Sequence, residues 1–327
     1  MSKRGPTRLG NFVCFKRFLK GSDANSCDFL DYCIDVGGVC RVHAVTPVAG
    51  MRVIKAVVRI GAKMRSLRAN RQVSRGWLYP YRNKMNKNVH QIVFADPGAA
   101  PPTGYAKEAM GSVRRAFPGC QIRVWSLEEA KGFIDEHFSP DVLRAFDCLR
   151  PYAYKADLFK LCVLHSVGGW CVDVGMTMLQ SPLRARFAWS GNPPKFVLFR
   201  STSKADAPWN CSLGLLYAEP GHEVFNTAIS EVIDNCKHQR YGVGPLSPMM
   251  SPFGRALAIH NVHEGVKIGT VVDVKGREYS RAHQLPPLGL IVARKPLGGP
   301  GDVTHIGLHG GNNYWKMWKQ REIFGTW

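Results

Sequence analysis

The segment Pro151 to Leu179, PYAYKADLFKLCVLHSVGGWCVDVGMTML, constrains the fold more than any other part of the chain. It opens with helical spacing that lets Ala156, Phe159, Leu161, Cys162 and Leu164 face a core while Lys155, Asp157 and Lys160 gather at one end. Gly168-Gly169 stops that helix. The apolar run Trp170-Cys171-Val172 follows as a buried strand and delivers Asp173 at its carboxyl end, the edge where open α/β sheets place their ligands. A helix, a glycine break and a strand bearing one carboxylate suit a phosphorylated ligand.

The flanking sequence repeats a strand–helix order. Asn88 to Phe94 reads as a buried first strand, and the Pro/Gly-rich loop Pro97 to Gly104 follows it. Next come a helix from Tyr105 to Phe117, a turn at Pro118-Gly119, a strand from Gln121 to Trp125 and a helix from Leu127 to His137. A connection to Asp147 then enters the central segment. This order predicts an α/β fold with a parallel sheet and helices on its faces. Further on, Phe196 to Phe199 is apolar, Phe225 to Cys236 has helical spacing, Gly242 to Pro252 reads as a loop, and Gly265 to Ala293 alternates short β-like runs with turns.

The central segment resembles glycosyltransferase family 32, the capsular-polysaccharide and mannosyltransferase-like group with a GT-A nucleotide-sugar fold. That family's signature is a helix bearing S/A-D-x-x-R/K, then L-x-x-x-G-G-x-x-x-D-x-D. Ala156-Asp157-Leu158-Phe159-Lys160, Leu164, Gly168, Gly169 and Asp173 match it in spacing, and Gly175 departs from it at the second acid of D-x-D. His90-Gln91-Ile92 is similar to the family's opening H-Q-I, with Val93 in place of tryptophan. Asn210 and the later Glu219-Pro220-Gly221-His222 resemble its N-x-x-x-x-A-x-P-G-H region, Gly244-Pro245 its G-P element, and His309 to Trp315 its closing H-x-x-x-S-W type motif. The matches run across about 240 residues.

The resemblance implies a hexosyltransferase that uses a UDP- or GDP-sugar and a glycan or lipid-linked acceptor, retains anomeric configuration, and serves polysaccharide or glycolipid synthesis. In those terms Asp173 meets the ribose, the sugar hydroxyls and a metal, Asp157 meets the transferred sugar, and Lys160 contacts phosphate or sugar. Donor-binding residues would be His90, Phe94, Gly168, Gly169, Asn210 and Trp315, with Phe94 placed to stack on the base. A Mn²⁺ or Mg²⁺ ion would take Asp173, His309 and Asn313. A departing diphosphate needs either such a cation or fixed Lys/Arg groups, and Gly175 weakens the first option. Two rival readings stay open: a toxin- or effector-like protein glycosyltransferase, and a catalytically inactive protein of the same fold that binds glycan or nucleic acid.

Of the net charge of +20, the first 87 residues carry +14, from eighteen Lys/Arg against four Asp, which leaves +6 for the remaining 240. The basic character therefore belongs to a region of residues 1–86 ahead of a transferase domain at 87–327. Within it, 51–75 contains no acid and, drawn as a helix, sets Arg52, Lys55, Arg59 and Lys63 opposite Val53, Val57, Ile60, Met64 and Leu67. Such a helix can lie on an anionic membrane or dock on a neighbouring domain; nucleic acid is the least favoured partner. Ten cysteines without a C-x-x-C pair, and no signal-peptide or spanning segment, point to reduced thiols and a cytoplasmic, peripheral setting.

Overall fold

The computed structural model of the chain describes residues 12–20, 27–35, 40–43, 85–182, 194–201, 211–262, 265–274, 279–285, 289–296, 301 and 303–327. The chain separates into two units, Met1–Arg82 and Asn83–Trp327. In the first, β1 (Phe12–Lys20), β2 (Cys27–Asp35) and β3 (Cys40–His43) pair antiparallel in the order β1-β2-β3. The basic segment 51–75 lies outside the described residues.

The second unit is mixed α/β. Its strands are β4 (Asn88–Ile92), β5 (Gln121–Trp125), β6 (Gly169–Val172), β7 (Thr177–Met178), β8 (Phe196–Ser201), β9 (Leu215–Ala218), β10 (Val266–Asp273), β11 (Tyr279–Leu285) and β12 (Leu290–Pro296). They form a sheet in the order β5-β4-β6-β9-β8-β10-β11-β12-β7. The expected parallel arrangement holds for β5-β4-β6 and for β8-β10, while the other neighbours run antiparallel. For β10-β11 and β11-β12 the reason is connection length. Parallel neighbours need a long crossover, and the links from β10 to β11 and from β11 to β12 are too short for one.

β6 stands third in this sheet and β7 ninth, yet four residues, Asp173 to Met176, separate them along the chain. Five Cα steps reach at most ~18 Å, whereas six strand spacings laid flat cover ~29 Å. The sheet therefore curls, and β12 and β7 return toward the carboxyl end of β6.

Alternation along the strands builds a core on each face. Cys171, Phe196, Leu198, Leu216 and Ala218 join one apolar cluster, and Trp170, Val172, Val197, Phe199, Leu215 and Tyr217 join the other. Helix α1 (Gly104–Ala116) serves the second cluster through Val113 and Ala116. Helices α2 (Leu127–His137), α3 (Pro140–Cys148), α4 (Tyr152–Ser166), α5 (Glu223–Lys237) and α6 (Ser247–Ile259) serve the first. A capping box between Ser126 and Glu129 starts α2. The short helix α7 (Tyr314–Lys319) follows near the chain's end. Helices α3 and α6 replace what the sequence suggests are a connection and a loop. Pro140 opens α3 and Pro248 lies in the first turn of α6, where a missing N–H costs nothing.

The second half of helix α4 is enclosed as far as Leu164. Leu158 through Leu164 are buried without a break, Lys160 among them at 5% exposure. Gly168 ends the helix at φ +68°, its N–H reaching the carbonyls of Val163 and Leu164. Gly169, at φ +107°, lets β6 start against β4, since a Cβ there would lie 2.3 Å from the Asn88 carbonyl oxygen. The described cysteines, Cys120, Cys148, Cys162, Cys171, Cys211 and Cys236, are free thiols. Among the described residues no helix is long and apolar enough to cross a membrane.

Candidate active site

Asp173 stands one residue beyond β6, its N–H bonded to the Gly214 carbonyl (2.8 Å) and its own carbonyl accepting from Met176 N–H (2.9 Å). These two bonds fix the strand tip. Lys160 reaches it from α4 and lies between two carboxylates, 2.8 Å from Asp157 Oδ1 and 2.6 Å from Asp173 Oδ1. A second ammonium arrives from β12, with Lys295 Nζ 2.5 Å from Asp173 Oδ2. Both oxygens of Asp173 are therefore ion-paired. The approach of Lys295 depends on Gly214, where a Cβ would sit 2.9 Å from both Asp173 Oδ2 and Lys295 Nζ.

Electrostatics here is set by burial and by the two lysines. Burial alone would raise the Asp173 carboxyl, but Lys160 and Lys295 outweigh it and hold the group well below the usual carboxylate range. Burial raises Asp157, with Lys160 opposing the shift. Burial would lower Lys160, yet its two carboxylates push it up, so it stays an ammonium.

These groups line a cavity of about 890 Å³, within the size of small-ligand clefts. Phe94, Tyr154, Tyr314 and Trp315 supply aromatic wall, and Arg281, Asp273, His283, His305 and His309 supply polar wall. The carboxyl-terminal segment closes one side. Asp96 N–H bonds to the Gly310 carbonyl (2.7 Å) and Thr103 N–H to that of Gly307 (2.9 Å), so residues 307–310 are fastened to the loop after β4. Tyr152 adds a further tie by donating to Asp96 Oδ1 at 2.6 Å; that bond, with burial, pushes its phenol up to about 12.

Of the residues singled out in the sequence, Asp157, Lys160, Asp173, Phe94, His309 and Trp315 share this cavity. Phe94 packs edge-on to Phe146 with ring centroids 5.8 Å apart and also meets Phe159, so the core holds it in place. Three of the expected donor-binding residues lie elsewhere. His90 is buried behind the sheet: the Trp125 indole donates to its Nδ1 (3.2 Å), which puts the imidazole proton on Nε2, 2.9 Å from the Gly168 carbonyl. Gly168 and Gly169 shape the chain reversal and do not line the cavity. Asn210 lies outside the described residues.

The expected Mn²⁺ or Mg²⁺ set does not come together. Asn313 caps α7 by accepting from Lys316 N–H (3.0 Å), and His309 Nε2 lies 3.3 Å from Thr103 Oγ1. Among the described residues no group of three or more His, Cys, Asp or Glu side chains is placed to hold a metal. Asp173 already carries two cations. The residues present do not fit a divalent ion. The second acid of D-x-D is absent, with Gly175 in its place.

Lys295, Arg281, Asp273 and His283 were not legible as site residues. Lys295 sits 122 positions from Asp173 in sequence, inside the run Leu290 to Pro296 that carries no motif. Only the pairing of β12 with β7 brings it in.

No family model matches the chain, and a search of curated proteins gives no match. Among solved structures, PaToxG glycosyltransferase superposes with a TM-score of 0.40 at 12% identity, over 54% of this chain and 70% of that one. A likeness at that level carries no argument, and the functional reading rests on the site's own residues.

Proposed function

We propose that the chain is a hexosyltransferase of GT-A type that moves a sugar from a UDP- or GDP-sugar to a glycan or lipid-linked acceptor, with retention, in polysaccharide or glycolipid synthesis. The observation that carries this reading is the Asp157–Lys160–Asp173 cluster at a strand's carboxyl end on the wall of an 890 Å³ cavity. These are the positions where the sequence resembles the family's signature. The cavity takes a nucleotide sugar by size, and its aromatic wall offers stacking surface for a base or sugar ring. The acid-free segment 51–75 would hold the protein at an anionic membrane surface.

In this reading the carboxylates accept hydrogen bonds from sugar hydroxyls, and the ammonium groups face the phosphate that departs. The bond from C1 to the phosphate oxygen breaks with its electron pair going to phosphate. The acceptor oxygen bonds to C1, and its proton passes to the leaving oxygen. Asp173, ion-paired through Oδ1 with the enclosed Lys160, is a poor nucleophile. That favours attack by the acceptor on the face the phosphate leaves over a covalent sugar–enzyme intermediate.

Incubating the full chain with labelled UDP- and GDP-hexoses, with and without glycan or lipid extract, tests the reading. Sugar release or transfer is expected, and Asp173→Asn should lower it at least ~100-fold with an unchanged circular dichroism spectrum. Turnover undiminished in that variant would remove Asp173 from the site.

A further inference from the structure

We propose that Lys160 and Lys295, supported by Arg281, form a diphosphate site that works without a divalent cation, which makes Lys295 a catalytic residue of this transferase. The inference rests on the nucleotide-sugar reading and adds the means by which the leaving group is neutralised.

Three independent features of the cavity point to an anionic ligand. First, Lys295 and Arg281 are direct cross-strand partners on β12 and β11, and both line the cavity. Like charges placed opposite each other in a sheet are unfavourable. Here each is offset by one carboxylate: Asp173 lies 2.5 Å from Lys295 Nζ, and Asp273 lies 3.4 Å from Arg281 Nε. Two cations on one wall, each facing an acid, match the two charges of a nucleotide-sugar diphosphate.

Second, the two lysines differ in freedom. Lys160 has 6% of its side chain exposed and is held by two carboxylates, so it stays where it is. Lys295 has 33% exposed and meets one carboxylate. An arriving phosphate can therefore draw Lys295 off Asp173 Oδ2 while Lys160 remains on Oδ1. That exchange frees one Asp173 oxygen to accept a sugar hydroxyl as the phosphate gains its counter-charge. Binding and alignment are thus coupled through one ammonium.

Third, the backbone leaves room for the lysine. A Cβ on Gly214 would lie 2.9 Å from Lys295 Nζ, and position 175 supplies no second acid. When the C1–O bond breaks, the electron pair passes to a phosphate oxygen, and the ammoniums neutralise the growing charge in the role a divalent ion takes elsewhere. No oxidant, reductant or further reactant is needed.

Isothermal titration calorimetry of the full chain with UDP, GDP and inorganic pyrophosphate, each in EDTA and in Mn²⁺, tests this. The expected result is binding in EDTA within ~3-fold of that in Mn²⁺. Lys295→Met should weaken binding ~10-fold or more, and Gly214→Ala should weaken it in the same direction. Donor hydrolysis in Lys295→Met should fall in kcat beyond the change in KM. Nucleotide binding that requires Mn²⁺, or Lys295→Met binding as wild type does, overturns the proposal and leaves the transferase reading standing. No binding of any of these ligands in either buffer overturns both.

Discussion

Lys160 carries the most demanding job of any single side chain here, because it is a nearly enclosed charge that meets two acids at once. Lys160→Met would leave Asp157 and Asp173 facing one another with Lys295 alone to offset them. Breaking a buried ion pair costs about 3–5 kcal/mol, and urea unfolding should show a loss near the low end, since about a quarter of Asp173 still meets solvent. A loss under ~1 kcal/mol would mean the cluster behaves as a surface pair. His283 supplies a different test. Burial drives its imidazole down to about 3, with Lys295 adding to the shift and Asp173 opposing it. In the unfolded chain the ring titrates near ~6.5, so between those values the unfolded state binds a proton that the folded state does not. Stability from this group is complete above that range and falls with pH by on the order of 1.4 kcal/mol per unit down to about 3. His283→Gln should flatten that acid limb, and an unchanged limb would assign it to another group.

Among the elements, α6 shows how a rule can be broken and compensated. Pro252 lies inside the helix and cannot donate to the carbonyl four residues back, which is that of Pro248. Asn235 of α5 donates to it instead, Nδ2 to oxygen at 3.2 Å. Asn235→Leu should therefore cost about 1–3 kcal/mol, read as a lower urea midpoint with activity per folded molecule preserved; a midpoint like that of wild type would mean another donor reaches Pro248. The same proline chemistry explains why this region was misread from sequence. Pro248 and Pro252 look like breakers until their positions in a helix are known. By contrast α4, the glycine reversal and β6 were legible because their signals are local: an apolar helix, an αL glycine at its end, and an apolar run leading to an acid. His90 was legible as a buried strand residue, while its work in joining Trp125 to Gly168 was hidden, since a motif match cannot tell a ligand contact from a core hydrogen bond. Lys295 carried no local signal at all.

At the scale of the whole chain, charge and site lie in different sequence regions. Residues 1–82, with sixteen Lys/Arg against four Asp, precede the unit that holds Asp157, Lys160 and Asp173. A chain lacking residues 1–82 should lose binding to phosphatidylserine vesicles at 0.1 M salt and keep its affinity for nucleoside diphosphate; retained vesicle binding would move the membrane contact to the second unit. The curled sheet has a temporal consequence. A nascent chain has already made α4, β6 and both acids while β12 is still unsynthesised, so Asp173 is left with one ammonium until β12 joins the sheet. A polypeptide ended at Leu285 would carry Asp157, Lys160, Gly168, Gly169 and Asp173 and still lack Lys295. On the diphosphate proposal, competence waits on a lysine synthesised 122 residues after the acid it serves.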